Sequence, residues 1–494
     1  MREVSRRLIR AVVLIAGLCA ASAAGAQPVT TYHGAPNRSG HYVFPGLTFA
    51  AAAGMHLDPS FDGHVDGNIY AQPLYWQKGA DRRVIVATES DKVYALDAAS
   101  GKPVWQKALG QPVMLSQLEC GNINPLGITG TPAIDPAGEA LYLDAAVDGA
   151  GPQHLIFGLA LADGTTLSGF PINVAEALKA GGQSFDPRIQ NQRSALTIVD
   201  GRLFVPYGGF YGDCGDYRGW VISVNLKNPA AGVSSWKTRA RGGGIWAPGG
   251  LSYDGSSMYA ATGNTFGAST WSDGEGIIRL DTSLKRSSNP RDSFAPADWS
   301  TLDRADLDIG GTGPVPIDVS DAKGSAHFVL ALGKDGKAYL LRRRNLGGIG
   351  GALAAMQVSR DQIRTAPAVW AARNSAMVAF QGRPSGCPAD VPGAGLTVLR
   401  IKAHPPRLSI AWCAALDGGG APIVTTLADG SNPIVWVTGA EGDNLLHGFN
   451  GDTGAVVFDG GGATLAGLRH FGTILAANGR LYVAGDGRIY SFMP

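Results

Sequence analysis

The sequence predicts an all-β protein: an eight-bladed β-propeller of four-stranded antiparallel blades, with seven blades as the alternative. Three observations support this prediction. Short apolar runs rich in Val, Ile, Tyr and Trp alternate with turns containing Asp and Gly, along 494 residues that include 70 glycines. One strand and turn segment recurs at intervals of roughly forty to sixty residues. Repeated units must stack to bury their faces, and a ring of them accounts for a chain of this length.

The repeating segment, residues 95–105, combines the end of one strand with a turn and the start of the next strand. Asp97 is suited to cap the backbone N–H groups of the turn, and Gly101 to adopt positive φ. Trp105 carries enough apolar area to anchor one sheet against the next. Weaker copies span residues 158–170, 223–236, 278–284 and 448–458, the last with phenylalanine in place of the tryptophan.

These copies divide residues 27–494, interpreted as a single domain, into eight units. The units span about residues 68–105, 127–170, 193–236, 244–284, 313–345, 365–412, 421–458 and 471–492. The last unit stops where its outer strand should begin. We expect the N-terminal segment, residues 47–61, to supply that strand and close the ring, and we expect a strand within residues 47–53.

The N-terminus has the pattern of an export signal. Four arginines precede an apolar run at residues 11–18, and small residues occupy positions 24–26. We therefore expect residues 1–26 to be a signal peptide, cleaved before Gln27, and the mature protein to be periplasmic or secreted. The apolar run is far shorter than the ~20 residues that a membrane-spanning helix needs, so no transmembrane span is expected.

The balance of charge argues against two classes of partner. A formal net charge of +1 and a pI near 7.7 give no overall field for nucleic acid or an anionic membrane. The chain has no Cys-x-x-Cys-His motif, so no covalently attached haem is expected.

Four cysteines remain after the signal peptide, and an exported protein keeps disulfides oxidised. Cys387 and Cys413 bracket one predicted hairpin, which leaves Cys120 to pair with Cys214. Each residue of the second pair lies in a long predicted loop.

The repeat resembles the tryptophan-docking unit of the quinoprotein alcohol dehydrogenase-like propellers, and the resemblance covers essentially the whole mature chain. That family implies an oxidoreductase that holds pyrroloquinoline quinone (PQQ) and Ca²⁺ on the ring axis. The same repeat also builds non-catalytic scaffolds of outer-membrane assembly, so a platform for a protein or a glycan is the alternative.

The resemblance assigns binding roles to several residues. Trp246, in a Gly-Gly-Gly-Ile-Trp segment, matches the tryptophan beneath the quinone ring, and Asn264, in a Thr-Gly-Asn turn, matches a Ca²⁺ ligand. The family's glutamate ligand is absent, so Asp213 or Asp216 is the candidate for that carboxylate. Cys120 stands where the alcohol-oxidising members carry two adjacent bonded cysteines over the other face of the quinone.

Catalytic roles follow from the same resemblance. Asp308, or alternatively Asp306, matches the base that takes the proton of an alcohol while hydride passes to the quinone. Lys334 matches the cation near the quinone oxygens.

The sequence therefore predicts an exported dehydrogenase, dependent on PQQ and Ca²⁺, that oxidises an alcohol or another small hydroxylated substrate. Because no haem is expected, electrons would pass to a separate acceptor. The non-catalytic scaffold stays open, and a metal-assisted hydrolase or lyase is a third, less supported interpretation.

Overall fold

The computed structural model describes residues 27–494, which form the eight blades of a β-propeller. The predicted fold class and the number of blades are confirmed. The expected signal peptide lies outside the described residues. No helix within the described range is long and apolar enough to cross a membrane.

Blades 1 to 4 follow one another along the chain, each with its innermost strand first. Blade 1 contains Leu74–Lys78, Asp81–Ala87, Lys92–Asp97 and Pro103–Ala108; blade 2 contains Ala133–Asp135, Ala140–Asp148, Pro152–Ala160 and Ile172–Asn173; blade 3 contains Thr197–Val199, Arg202–Gly209, Trp220–Asn225 and Val233–Lys237; blade 4 contains Ser252–Tyr253, Met258–Thr262, Gly276–Leu280 and Ser293–Ala295. Three short strands extend these sheets: Gln111–Pro112 in blade 2, Gln190–Asn191 in blade 3 and Gly348–Ile349 in blade 4.

Blades 5 to 8 complete the ring. Blade 5 contains Val315–Asp321, Gly324–Leu332, Lys337–Arg342 and Ala354–Gln357; blade 6 contains Ala368–Ala372, Ser375–Gln381, Ala394–Ala403 and Pro406–Ala415; blade 7 contains Ile423–Thr426, Ile434–Thr438, Leu446–Asn450 and Val456–Asp459, with His41–Val43 added in parallel; blade 8 contains Ile474–Ala477, Arg480–Gly485, Arg488–Met493 and His56–Leu57. The α-helices of the described range are Phe49–Ala53, Val174–Ala180 and Trp299–Ala305.

The N-terminal segment closes the ring as predicted. Strand His56–Leu57 pairs antiparallel with Arg488–Met493 and forms the outer edge of blade 8. The strand expected within residues 47–53 is wrong, because Phe49–Ala53 is a helix. The Thr48 side chain caps this helix by accepting from the Ala51 N–H, and the alanine run favours helix over strand.

Two tryptophans join neighbouring blades through the repeated turn. Trp105 Nε1 donates to the Leu161 carbonyl over 2.9 Å, and Trp412 Nε1 donates to the Gly451 carbonyl over 2.9 Å. Each ring lies against a glycine of positive φ in the next blade, Gly164 or Gly454, where a Cβ would come within 2.9 or 2.7 Å of the indole. The turn therefore needs glycine because the indole occupies the space of a side chain.

Residues 29–44 cross the centre of the ring. Their backbone hydrogen-bonds to the inner strands of blades 1, 2, 4, 6 and 7, from Val29 against Tyr75 to Gly40 against Val424. Tyr32 is 2 % exposed and packs among alanines from opposite sides of the channel. The N-terminal segment thus fills the channel at the level of the inner strands.

Three unit boundaries lie further along the chain than predicted. The outer strands of blades 2, 4 and 5 follow the expected unit ends at 170, 284 and 345; they are Ile172–Asn173, Ser293–Ala295 and Ala354–Gln357. In blade 4 the strand Gly348–Ile349 adds a parallel edge outside Ser293–Ala295. The loops that carry these outer strands have no repeat pattern of their own.

Both predicted disulfides are present. Cys120 is bonded to Cys214, and Cys387 is bonded to Cys413. The first bond ties the loop before the inner strand of blade 2 to the loop that follows the second strand of blade 3.

Candidate functional site

The predicted site residues lie in loops at one end of the ring. In an antiparallel blade the start of the first strand and the end of the second lie at the same edge. Trp246 and Asp308 precede the inner strands of blades 4 and 5. Asn264 and Lys334 follow the second strands of the same two blades. Four residues distant in sequence therefore meet at one end of the channel.

Trp246 and Asp308 contact each other directly. Trp246 Nε1 donates to Asp308 Oδ2 over 3.0 Å, and the tryptophan ring is only half-buried. A Cβ on Gly263 would lie 2.7 Å from Asp308 Oδ2 and 3.1 Å from Trp246 Nε1. Glycine in the Thr-Gly-Asn turn is therefore what lets this carboxylate and the indole come together.

Asp308 is a buried carboxyl whose pKa is raised toward neutral pH. It is 1 % exposed, and burial raises its pKa to about 6 although the charge of Lys334 opposes the rise. Its Oδ1 atom is buried without a hydrogen bond among the described residues, at 3.4 Å from Lys334 Nζ. The Lys334 ammonium is therefore the charged group nearest to this oxygen.

Lys334 is fixed between two carboxylates and an aromatic ring. Its Nζ lies 2.7 Å from Asp306 Oδ1 and 5.2 Å from the centroid of the Trp246 ring. Burial lowers the lysine pKa, but Asp308 and Asp306 outweigh that effect, and the net pKa is raised. The side chain of Asp306 is 65 % exposed, so Asp308, rather than Asp306, is the acid enclosed at the ring.

Asn264 follows Gly263 and is 8 % exposed. Its carbonyl oxygen accepts from the Gly243 N–H over 2.7 Å, which ties the Thr-Gly-Asn turn to the glycine run before Trp246. The turn therefore holds Asn264 beside the pair formed by Trp246 and Asp308.

The remaining predicted ligands are engaged elsewhere. Asp213 Oδ1 accepts from the Tyr217 hydroxyl over 2.6 Å. The Asp216 side chain is 71 % exposed, with the Arg218 guanidinium 3.8 Å away. Cys120 is held in its disulfide with Cys214. Within residues 27–494 no group of three or more His, Cys, Asp or Glu side chains is arranged to hold a metal ion.

Sequence reasoning missed a second buried acid beside Asp308. Glu275 is 0 % exposed, its Oε2 accepts from the Ile309 N–H over 3.1 Å, and its Oε1 is buried without a partner in the described range. Burial, and then the nearby charge of Asp308, raise its pKa well above the usual range. Glu275 lies between two glycines at a positive φ of 49°, and no sequence motif marks it.

Comparisons with known proteins agree on the fold. The family model described as outer membrane protein assembly factor BamB matches residues 73–136. A search of curated proteins finds no match.

Solved structures share the architecture at low sequence identity. Quinohemoprotein alcohol dehydrogenase from Comamonas testosteroni is 15% identical, with 94% of this chain and 81% of that chain covered and a TM-score of 0.66. A europium-containing methanol dehydrogenase is 14% identical, with 93% and 90% covered and a TM-score of 0.64. BamB from Moraxella catarrhalis is 15% identical, with 89% and 100% covered and a TM-score of 0.52.

At these identities the solved structures establish a shared fold. The eight blades, the tryptophan-docking turns and the match over residues 73–136 agree with one another. The chain therefore shares the β-propeller fold of these solved structures, and residues 73–136 match the family model of the assembly factor.

Proposed function

We propose that the protein is an exported dehydrogenase that binds PQQ at the end of the ring formed by the loops of blades 4 and 5. Its substrate is an alcohol or another small hydroxylated molecule, and its electrons pass to a separate acceptor. The observation that carries this proposal is the assembly of Trp246, Asp308 and Lys334 into one contact network beside an accessible aromatic face.

The residues present fit a planar quinone. The half-buried ring of Trp246 offers an aromatic surface, and Lys334 places a positive charge 5.2 Å from its centroid, where charge on a reduced quinone would be stabilised. The residues do not supply a complete Ca²⁺ shell, since Asn264 is the matched ligand that lies at this network. No step of the mechanism is therefore assigned to calcium.

Asp308 acts as the base. With a pKa of about 6 it is ionised at neutral pH, and its Oδ1, which has no hydrogen bond among the described residues, accepts the proton of the substrate hydroxyl. Trp246 Nε1 fixes the other carboxylate oxygen, so Oδ1 is oriented toward the substrate. PQQ, when bound, supplies the two-electron acceptor that takes the carbon-bound hydrogen as hydride. The alcohol thereby becomes a carbonyl compound.

The test is a titration of the purified protein with PQQ, with and without Ca²⁺, followed by absorbance and calorimetry. We expect saturable binding near one equivalent that Lys334→Met and Asn264→Ala weaken. Lys337→Met is the matched control, because Lys337 lies three residues further in the same hairpin and is 3.3 Å from Asp298 Oδ2. A folded protein that binds no PQQ would refute the proposal.

A second function, a non-catalytic scaffold that presents its loops to a protein or glycan, has one observation in its favour. The family model that matches residues 73–136 is that of an outer membrane assembly factor. Absence of PQQ binding, together with specific capture of an envelope protein or glycan, would favour it.

A further inference from the structure

Two arginines without acidic partners lie at the same end of the channel. Arg193 and Arg364 each stand four residues before the inner strand of their blade, in blades 3 and 6. Within residues 27–494 neither guanidinium forms a hydrogen bond or an ion pair with an acidic side chain. Arg193 is half-buried, with its guanidinium carbon 4.0 Å from the centroid of Phe471.

Both arginines border Trp246. Ser194 Oγ donates to the carbonyls of Ile245 and Ala247, over 3.0 and 2.8 Å, so the chain at Arg193 lies against the segment that carries the tryptophan. On the other side, a Cβ on Gly311 would lie 3.5 Å from Arg364 Cα and 3.5 Å from Trp246 Cη2. The backbone at Arg193 thus lies beside the segment that carries Trp246, and the backbone at Arg364 lies near the Cη2 edge of its ring, away from Nε1.

The neighbouring acids are already engaged. Glu441 Oε2 lies 2.7 Å from His470 Nδ1, and Asp486 forms an ion pair with Arg469. Glu89 Oε2 accepts from the Gly127 N–H over 2.7 Å, and burial raises the pKa of its carboxyl to about 7. Glu89 lies near Arg193 with its Oε1 unpartnered among the described residues, but none of these three acids forms an ion pair with either arginine.

Arg193 is half-buried and Arg364 is exposed, and besides burial the charge of Arg364 lowers the pKa of Arg193, so the two like charges lie near each other. An anion bound between like charges relieves their repulsion. Burial lowers the pKa of Arg193 to about 10, which still leaves the guanidinium charged at neutral pH. Planar guanidinium groups bind carboxylates through paired N–H donors.

We propose that Arg193 and Arg364 bind the carboxylate of a small hydroxy acid whose hydroxyl group reaches Asp308 across the Trp246 ring. Identification of this carboxylate as the substrate's rests on the proposed function. The substrate then gives its hydroxyl proton to Asp308 and its carbon-bound hydrogen, with two electrons, to the quinone. The product is the corresponding oxo acid.

The test is calorimetric titration of the purified protein with glycolate, first without quinone. We expect saturable binding of glycolate and none of glycolamide, its neutral analogue. Arg193→Gln and Arg364→Gln should each weaken binding by about tenfold or more, because each removes charge-assisted hydrogen bonds. Arg383→Gln is the control, since that exposed arginine is paired with Asp361. Thermal melting of each variant checks that it is folded.

The second arm repeats the titration with PQQ bound, and we expect glycolate to bind alongside it. Displacement of glycolate by PQQ would overturn the proposal, because the arginines would then hold carboxylates of the quinone. Equal loss in Arg383→Gln, or no glycolate binding at all, would also overturn it. PQQ that fails to bind while glycolate binds would refute the proposed function and leave the carboxylate site standing.

Discussion

Tryptophans do two different jobs in this propeller. Trp105 and Trp412 are 9 % and 6 % exposed, and each donates its Nε1–H to a backbone carbonyl of the next blade. Trp246 is only half-buried and donates to the buried carboxylate of Asp308. The docking tryptophans are enclosed by glycine turns, whereas Trp246 keeps part of its ring open.

The tryptophans differ in the group that accepts the hydrogen bond from each indole N–H. Trp105 and Trp412 hold two blades together, because each donates to a backbone carbonyl and packs against a glycine of the next blade. Removing either indole therefore lowers the stability of the fold. Trp246 instead orients the carboxylate of Asp308, whose pKa is raised, and offers the exposed part of its ring to a ligand. Substitutions at these residues can therefore show whether stability and ligand binding depend on different tryptophans.

The largest effect, on turnover, is expected from substitution of Asp308, which accepts the hydrogen bond from Trp246. Asp308→Asn should lower turnover of the PQQ-loaded protein by roughly 10²–10⁴-fold, because it removes the base. The turnover rate of the wild type should rise with pH through about 6, as Asp308 loses its proton. The variant should not show this rise. Steady-state kinetics with an artificial electron acceptor measures both. Asp306→Asn, which changes an exposed acid, is the control and should keep the rise in rate near pH 6. An unchanged pH dependence in Asp308→Asn would show that Asp308 is not the base.

The next effect concerns docking. Trp412→Phe should lower the free energy of unfolding by about 2–3 kcal/mol, through a lost hydrogen bond and lost buried area. Trp246→Phe should lower it by less than Trp412→Phe does, since that ring is only half-buried and the cost is confined to the lost hydrogen bond to Asp308. Thermal and denaturant unfolding followed by circular dichroism compares the two. Equal destabilisation would erase the distinction.

The glycines that face these two rings give a smaller contrast. In Gly454→Ala the new Cβ would lie 2.7 Å from the Trp412 ring, at a φ of +79°, so we expect a loss of about 1–2 kcal/mol. In Gly263→Ala the Cβ would lie 2.7 Å from Asp308 Oδ2, so we expect reduced PQQ binding and turnover with a smaller change in melting temperature. The reverse pattern would contradict the assignment of the two turns.

The smallest effect comes from Glu275. Burial raises its pKa in the folded protein, so the folded state keeps a proton that the unfolded chain loses as pH rises above about 4. This carboxyl therefore costs stability with increasing pH, and Glu275→Gln removes that cost. The variant should gain of order 1 kcal/mol relative to wild type between pH 5 and pH 8. Glu176→Gln, at an exposed helical position, is the control and should show no such gain. If the difference in unfolding free energy between Glu275→Gln and wild type does not change with pH, the pKa of Glu275 is not raised.

The fold was largely predictable because its determinants are local and repeated. Each unit carries its own strands and turn, and the missing outer strand of the last unit was visible as a gap that the N-terminus fills. The helix Phe49–Ala53 was missed because an isolated segment has no repeat to compare with. The path of residues 29–44 through the channel depends on contacts with several blades, which no local pattern encodes.

The candidate site was predictable only where motifs mark it. Trp246 and Asp308 were proposed from separate segments, and the structure brings them into contact. Glu275 and Arg193 carry no motif, since their importance arises from burial and from neighbours contributed by other blades.

The most direct test of the central claim is a PQQ titration of three proteins: wild type, Trp246→Phe and Trp412→Phe, each with its melting temperature. The two roles of tryptophan predict that Trp412→Phe melts earlier and binds PQQ like wild type. They predict that Trp246→Phe melts closer to wild type than Trp412→Phe does and binds PQQ more weakly. Equal PQQ affinity in all three proteins, or no saturable binding in folded wild type, would contradict the account.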